Sequence, residues 1–239
     1  MKVYYDFHIH SCLSPCGDED MTPNNIVNMS LLKGLNVIAV TDHNTMKNCE
    51  SVRAVAQNTD LLVIPGMEIQ TREDVHIVAL FPSLNAGAAV EKLLDEHRLM
   101  LPHRPEKFGH QSLMDNEDHL KGEYPITLLA SIDLGIDEII KEVMAQGGVV
   151  FPAHINKPGN SVLANLGFIP EDWPIAAVEI FKPDENQNLI TKYKASYKVL
   201  RNSDAHYLMD ISEAENSINL PALTIEEVLK YLGEFKEKK

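Results

Sequence analysis

The sequence has little of several features that mark particular classes of protein. Its 239 residues include only three cysteines, an odd number that does not suit a disulfide framework and is typical of a reducing cytosol. No apolar run approaches the ~20 residues needed to span a bilayer. Acidic and imidazole side chains interrupt the first ten residues, which argues against a signal peptide. We therefore expect a soluble, cytoplasmic protein.

Positive charge is also scarce. The chain has 21 Lys and Arg residues against 35 Asp and Glu residues, which gives a formal net charge of −14. A protein that grips long nucleic acid usually does so through a basic surface, so we expect no such partner. Bound divalent cations would reverse the field locally, and the charge count therefore leaves a metal site open.

What the chain does have is an alternation of strand and helix patterns, with 44% hydrophobic residues to build a core. The patterns predict strands at 3–10, 36–40, 61–64, 75–81, 149–153, 176–181 and 197–200, and helices at 22–33, 46–58, 86–99, 136–146 and 224–236. This alternation predicts a largely parallel sheet. Six or seven such units close more naturally into a barrel, in which functional residues lie at the carboxyl ends of the strands. We expect one α/β domain over residues 1–239.

One long segment breaks the alternation. Residues 101–131 are polar and interrupted by several Pro and Gly residues. Long irregular segments in a compact domain are more often functional than accidental. We interpret this one as an insertion or a lid over the site.

Four short segments place His, Asp or Glu at the end of an apolar run: Asp6-Phe7-His8-Ile9-His10, Thr41-Asp42-His43, Pro65-Gly66-Met67-Glu68 and Ser203-Asp204-Ala205-His206. His8 and His10 are two apart on a predicted strand, so both imidazoles point to one side and reach one ion. Pro65-Gly66 is predicted as a turn that presents Glu68. Imidazole nitrogens and carboxylate oxygens are ligands of Zn, Mn and Fe. The pattern predicts a polynuclear metal site.

These segments, together with Phe151-Pro152-Ala153-His154, resemble the PHP (polymerase and histidinol phosphatase) family of metal-dependent phosphoesterases in order and spacing. The resemblance extends over roughly residues 3–206. It implies a distorted (β/α)7 barrel that holds two or three Zn, Mn or Fe ions at the carboxyl ends of its strands.

The resemblance also implies which residues bind these ions. A first ion would take His8, His10, Glu68 and Asp204; a second would share Glu68 and add His154 and His76; a third would take His43, His206 and an acidic residue. The loop that should supply this acidic residue is longer here than in the family, and counting back from Thr22-Pro23 favours Asp18 over Asp20. Cys12 and Cys16 flank the loop. They are open to three interpretations, as soft metal ligands, a redox pair or small loop residues, of which the last is favoured; Cys49 is expected to be buried in a helix.

The expected chemistry is hydrolysis of a phosphomonoester of a small metabolite or nucleotide through a metal-bound hydroxide, since divalent ions lower the pKa of water from 15.7 towards about 7. Glu68, Asp204 and His206 are the expected catalytic residues. Lys157, Arg201 and Arg104 are candidates for binding the phosphate of the substrate. Alternatives are an exonuclease or phosphatase acting on short oligonucleotide ends, a metal-dependent amidohydrolase, and a noncatalytic metal-stabilised binding module.

Overall fold

The computed structural model describes residues 1–235. In chain order its strands are β1 (Lys2–Ile9), β2 (Val37–Val40), β3 (Leu62–Gln70), β4 (His76–Leu80), β5 (Ser112–Met114), β6 (Leu120–Glu123), β7 (Val149–Pro152), β8 (Ala177–Glu179), β9 (Lys198–Leu200) and β10 (Ser217–Asn219). Its α-helices are α1 (Pro23–Leu32), α2 (Cys49–Ala56), α3 (Leu84–His97), α4 (Pro105–Phe108), α5 (Ile136–Ala145), α6 (Val162–Asn165), α7 (Gln187–Tyr193) and α8 (Ile225–Gly233).

The largest sheet is mixed, so the expectation of a largely parallel sheet is wrong. Its strand order is β10-β1-β2-β3-β4-β7. The pairs β1–β2 and β2–β3 are parallel, whereas β10–β1, β3–β4 and β4–β7 are antiparallel. The connection between β3 and β4 covers only residues 71–75. That is too short for the crossover that a parallel pair needs, so β4 turns back along β3.

Strand β3 is longer than predicted because Pro65 and Gly66 lie inside it and do not form a turn. At this point β3 changes partner: Pro65 is opposite Val40 of β2, and Gly66 is opposite Leu80 of β4. A Cβ atom on Gly66 would lie 2.9 Å from side-chain carbons of both Thr41 and Leu80. Glycine therefore allows the three strands to approach closely where β3 crosses from one partner to the other.

The carboxyl ends of distant strands meet because the sheet curls. Strands β8 and β9 form a separate parallel pair, and the chain after β9 bridges back to β1. In this bridge the N–H of His10 donates to the carbonyl of Ala205 at 2.9 Å. Residues more than 190 positions apart thereby lie side by side, and the α/β class predicted from the sequence is confirmed.

Two predicted helix starts have the expected caps. The Thr22 side chain accepts a hydrogen bond from the N–H of Asn25 with Pro23 at the first helical position, and Thr224 caps α8 in the same way. The predicted end of the last helix, Lys236, lies outside the described residues. No helix within residues 1–235 is long and apolar enough to cross a membrane.

The segment 101–131 is more ordered than expected, since it contains α4 and the β5–β6 hairpin. The Gln111 side chain is buried and bonds to the backbone of Tyr124, Ile126 and Leu128. Its role as a lid stays a prediction.

Candidate metal centre

The carboxylate of Glu68 lies at the centre of a cluster of five imidazoles. Its oxygens are within 3.4 Å of a ring nitrogen of each of these histidines: His8 at 3.3 Å, His10 at 3.4 Å, His43 at 3.0 Å, His76 at 2.9 Å and His154 at 3.1 Å. Glu68 is 1% exposed. Eight of the nine predicted ligands lie in or beside this cluster, because Asp204 and His206 approach it from the loop after β9.

These side chains reach the cluster from the carboxyl ends of some strands and from the amino end of another. His8 and His10 come from the carboxyl end of β1, and His43 follows β2 and bridges to Glu68. His76, by contrast, begins β4, so the expectation that every ligand lies at the carboxyl end of its strand is wrong for this residue. Because β4 runs antiparallel to β3, its first residue reaches the same edge of the sheet as the end of β3.

Hydrogen bonds behind His10 set the protonation of its ring. The Ser14 hydroxyl lies 2.7 Å from Asp42 Oδ1 and 2.9 Å from His10 Nδ1. Its single hydrogen goes to the acceptor-only carboxylate of Asp42, so it accepts from a protonated Nδ1 of His10. The lone pair of His10 Nε2 then faces Glu68 and Asp204, which is the tautomer a metal ligand needs.

Glu179 orients His8 in the same manner. His8 Nδ1 lies 3.0 Å from a carboxylate oxygen of Glu179, which leaves Nε2 facing Glu68 and Asp204. The other partners of Glu179 are the N–H of His154 at 2.8 Å and the side-chain amide of Asn202 at 2.7 Å. One buried carboxylate therefore ties together three segments that carry the cluster.

Two members of the cluster have a strained backbone. His154 has φ +27° and Asp204 has φ +53°, both in the region that L-residues rarely adopt. Such conformations cost about 1–3 kcal/mol each and collect at functional sites. The surrounding fold therefore holds these two side chains in place against local preference.

The charges of the cluster are strongly coupled. Burial would raise the pKa of Glu68, but His76, His8 and His43 outweigh it and hold the pKa well below its usual range. Burial likewise opposes protonation of His8, yet the carboxylates of Glu179, Glu68 and Asp204 raise its pKa well above the ordinary value. For His10, burial and the neighbouring His206 lower the pKa. The site is built for a high density of positive charge next to carboxylates.

The donor set fits divalent metal ions. One ring nitrogen each of His76 and His154 is buried without a hydrogen-bond partner among the described residues. Buried polar atoms are nearly always satisfied, so these two nitrogens point to a role in binding a ligand. Three groups have donor atoms within 4.8 Å of one another: His8 with His10 and Asp204; His43 with Glu68 and His76; and His10 with Cys16, His43 and His206. Nitrogen and carboxylate donors of this kind suit Zn, Mn or Fe.

The predicted ligand Asp18 is not in any of these groups. Its carboxylate accepts from the N–H of Asp20 at 2.9 Å, and its own N–H donates to the carbonyl of His206 at 2.8 Å. The structure instead places Cys16 in the third group, with its Sγ 3.2 Å from His43 Nε2.

The three cysteines differ in character. Burial raises the pKa of Cys12 and of Cys49 to about 12, so both thiols stay protonated. Partial desolvation acts in the same direction on Cys16, but His43 and His206 outweigh it and lower its pKa to about 6. Cys49 is buried in α2, where its thiol contacts the backbone of the neighbouring strands, as expected.

A cavity of about 310 Å³ opens onto the cluster. Among the described residues that line it, Lys157 is the single Lys or Arg; its ammonium contacts the Asp204 carboxylate and lies 5.0 Å from the centre of the Phe181 ring. The other two predicted phosphate-binding residues are not brought to the cavity. Arg201 pairs with Asp184 at 3.2 Å, and Arg104 is exposed just before α4.

Sequence reasoning missed Glu179, although a signal for it exists. Like His8 and Asp204, it stands at the end of a short apolar run, Ala176-Ala177-Val178. The roles of Ser14 and Asp42 depend on contacts between the segments that follow β1 and β2, which no local pattern reveals.

Comparison with known proteins places this geometry in a family. Residues 6–169 match the PHP domain, which is more than half of the chain. The chain therefore belongs to the PHP domain family. The predicted enzyme class, a metal-dependent hydrolase of the phosphoesterase type, is confirmed with it.

Individual relatives differ in their described activities. A 5′-3′ exoribonuclease of Haemophilus influenzae is 31% identical over 106 residues, which are 41% of this chain and 38% of that protein. The lesion-specific endonuclease PfuEndoQ of Pyrococcus furiosus has a TM-score of 0.69 at 20% identity, over 98% of this chain and 56% of that one. A two-domain protein of Bacteroides vulgatus, described as containing a predicted PHP-like metal-dependent phosphoesterase, has a TM-score of 0.55 at 17% identity, over 98% and 63%. The chain thus spans about four-tenths of the exoribonuclease and just over half of the endonuclease.

Proposed function

We propose that this chain hydrolyses phosphomonoesters of a small metabolite or nucleotide at a centre of two or three divalent ions. The observation that carries the proposal is the Glu68 carboxylate, which lies within 3.4 Å of five imidazole nitrogens. Because imidazole nitrogens surround this carboxylate on both sides, it suits a bridge between two ions. We further propose that the curled sheet completes the distorted (β/α)7 barrel of the family, with the predicted lid at 101–131 contributing Leu129 to the cavity wall.

Divalent ions in such a site acidify water, neutralise phosphoryl oxygens and offset charge on a leaving oxygen. The residues of the chain provide the rest. His8, His10, His43, His76, His154, His206, Glu68 and Asp204 would hold the ions, and Glu179 and Ser14 keep two of the rings in the correct tautomer. Lys157 binds the phosphate from the cavity side.

In this proposal, Asp204 and His206 transfer the protons. His206 Nδ1 lies 2.7 Å from the Asp204 carbonyl, an acceptor, so Nδ1 carries a hydrogen and Nε2 is left free to bind or exchange a proton. The His206 side chain is 25% exposed, more than the other imidazoles of the cluster, and lines the cavity. In a centre of two ions it is the ring through which a proton reaches solvent, and where a third ion is bound its Nε2 is one of the ligands.

The size of the cavity and the charge of the chain favour a small substrate. A volume of about 310 Å³ lies at the lower end of the range for ligand pockets and accommodates a phosphate with one modest substituent. The net charge of −14 disfavours extended contact with a polynucleotide.

A second candidate is hydrolysis at the end of a short oligonucleotide. The similarity to the Haemophilus exoribonuclease and the fold shared with PfuEndoQ favour it. A terminal nucleotide fits the same cavity and needs few contacts along the backbone.

The test uses purified protein loaded with Mn²⁺ or Zn²⁺ and p-nitrophenyl phosphate, followed by a panel of phosphorylated amino-acid precursors, nucleotides and short 5′-phosphorylated oligonucleotides. We expect hydrolysis of the aryl phosphate, with loss in His8→Ala and Asp204→Ala. His119→Ala is the matched control because its imidazole is 71% exposed in the β5–β6 turn.

Full activity in His8→Ala or Asp204→Ala would refute the assignment of the site. Preferential turnover of oligonucleotide ends would replace the first proposal by the second. Turnover of amide substrates alone would indicate an amidohydrolase, and metal binding without any turnover would indicate a binding module.

A further inference from the structure

A third kind of donor atom, a thiol sulfur, lies beside the imidazoles and carboxylates of the cluster. Cys16 shares a group with His10, His43 and His206, whose donor atoms all lie within 4.8 Å of one another. The distance from Cys16 Sγ to His43 Nε2 is 3.2 Å. In a tetrahedral site with bonds of about 2.0–2.1 Å to nitrogen and about 2.3 Å to sulfur, donor atoms are separated by roughly 3.3–3.6 Å. Small side-chain movements would bring the group to that geometry.

The loop that carries Cys16 is built to hold it there. Two successive turns close through Ser14 N–H to the Ser11 carbonyl at 3.0 Å and Gly17 N–H to the Ser14 carbonyl at 2.8 Å. A Cβ atom on Gly17 would lie 2.7 Å from the Ser11 carbonyl oxygen, so only glycine allows this fold-back. Gly109 packs as closely against the backbone of Pro15, where a Cβ atom would lie 2.2 Å from the carbonyl oxygen.

In the same loop, Asp18 makes hydrogen bonds within the protein and lies outside the three donor groups. Its carboxylate closes a local turn on the N–H of Asp20, while its backbone N–H fastens the loop to the carbonyl of His206. This backbone bond holds the Cys16 loop against His206. His43 contacts Glu68 through Nδ1 at 3.0 Å, which leaves its Nε2 directed at Cys16.

We infer that the Cys16 thiolate, with His43 and His206, binds one ion of the centre in place of the expected Asp18 carboxylate. The inference rests on the metal centre proposed above. Binding replaces the S–H bond by a sulfur–metal bond and releases the proton to solvent. Because thiolate is a soft ligand, this position favours Zn²⁺, Co²⁺ or Fe²⁺ over Mn²⁺, and the ions of the centre are not equivalent.

Cobalt reports on this ligand directly. Chelator-treated protein, kept reduced and free of oxygen, is titrated with Co²⁺ while the near-ultraviolet and visible spectra are recorded and bound cobalt is counted. A sulfur-to-cobalt charge-transfer band is expected in the wild type as the site that contains Cys16 fills. X-ray absorption of the Zn²⁺ form is expected to show a sulfur neighbour at about 2.3 Å.

Three variants test whether Cys16 is the sulfur donor that produces the charge-transfer band. Cys16→Ser and Cys16→Asp should lose it, and Cys16→Asp should keep the full number of bound ions because a carboxylate replaces the thiolate. Cys12→Ser is the matched control: Cys12 lies in the same loop, but its buried Sγ faces the Ser112 carbonyl at 3.8 Å. Its band should be unchanged.

Bound cobalt without the band in the wild type, or a band that persists in Cys16→Asp, would overturn the inference while leaving the metal centre standing. Absence of bound cobalt altogether would overturn the proposed metal centre and the inference with it. Should Cys16→Ser fail to fold, the X-ray absorption of the wild type decides, since sulfur at about 2.3 Å is either present or absent.

Discussion

Glu179 offers the sharpest test of how the site is organised, because it binds no ion in the proposed arrangement yet holds three segments that do. Its carboxylate contacts His8 Nδ1 at 3.0 Å, the His154 N–H at 2.8 Å and the Asn202 amide at 2.7 Å. All three face it as donors. Gln at this position has almost the same shape but presents an NH₂ group to one of them.

The expected loss of metal affinity in Glu179→Gln follows from these contacts. Turning the Asn202 amide to accept from Gln would cost the bond that its Oδ1 receives from the Phe7 N–H at 3.0 Å, so the mismatch is not easily relieved. A hydrogen bond to a charged group is worth about 1.5–3 kcal/mol. Loss of a group that orients a metal-binding histidine lowers metal affinity about 10–100-fold. We expect Glu179→Gln to weaken binding within that range while all nine predicted ligands remain.

The assay is competition for Zn²⁺ or Mn²⁺ against a chromophoric chelator, with circular dichroism to confirm folding. Glu171→Gln, an exposed position, is the control and should match the wild type. An affinity of folded Glu179→Gln within about twofold of the wild type would refute the idea that Glu179 sets the tautomer of His8.

Three further predictions concern the substrate, the fold and the pH dependence of stability. Lys157→Gln should lower kcat/KM for phosphomonoesters about 10–100-fold, the equivalent of one charge-assisted hydrogen bond, with bound metal unchanged and Lys141→Gln as control. Gly66→Ala should lower the free energy of unfolding by about 1–3 kcal/mol in urea, whereas Gly159→Ala, where a Cβ atom meets nothing within 4 Å, should change it little. Burial raises the pKa of Tyr5 above the ordinary value for tyrosine of about 10, so its neutral form stabilises the fold below that pH. This contribution falls as pH rises further, by about 1.4 kcal/mol per pH unit. Tyr5→Phe should therefore flatten the alkaline decline in the free energy of unfolding, and an unchanged decline would contradict the burial argument.

Local sequence patterns predicted most of the residues that form the cluster because these residues share one local signature. A short apolar run followed by His, Asp or Glu marks a buried strand that ends in a polar cluster, and this signature found His8, His43 and Asp204. The pairing of two residues on one face of a strand correctly joined His8 to His10. The caps of α1 and α8 were predictable for the same reason, since a cap depends on side chains within four residues.

What could not be predicted depends on contacts between distant parts of the chain. The antiparallel course of β4, which brings His76 to the cluster from its amino end, is decided by pairing with β3 and β7. Pro65-Gly66 has the composition of a turn, but the close approach of β2 and β4 keeps it extended. The position of Cys16, rather than Asp18, beside His43 and His206 follows from how the loop folds back on itself and onto His206, which spacing alone does not reveal.

The central claim is that ions lie on both sides of the Glu68 carboxylate, and anomalous X-ray diffraction from crystals of metal-loaded protein tests it most directly. Data collected at the absorption edge of the bound metal should show two or three peaks among His8, His76, His206 and their neighbours, with at least two of them about 2.0–2.2 Å from Glu68 oxygens. Peaks located elsewhere, or an empty cluster in protein that hydrolyses phosphate esters, would contradict the account.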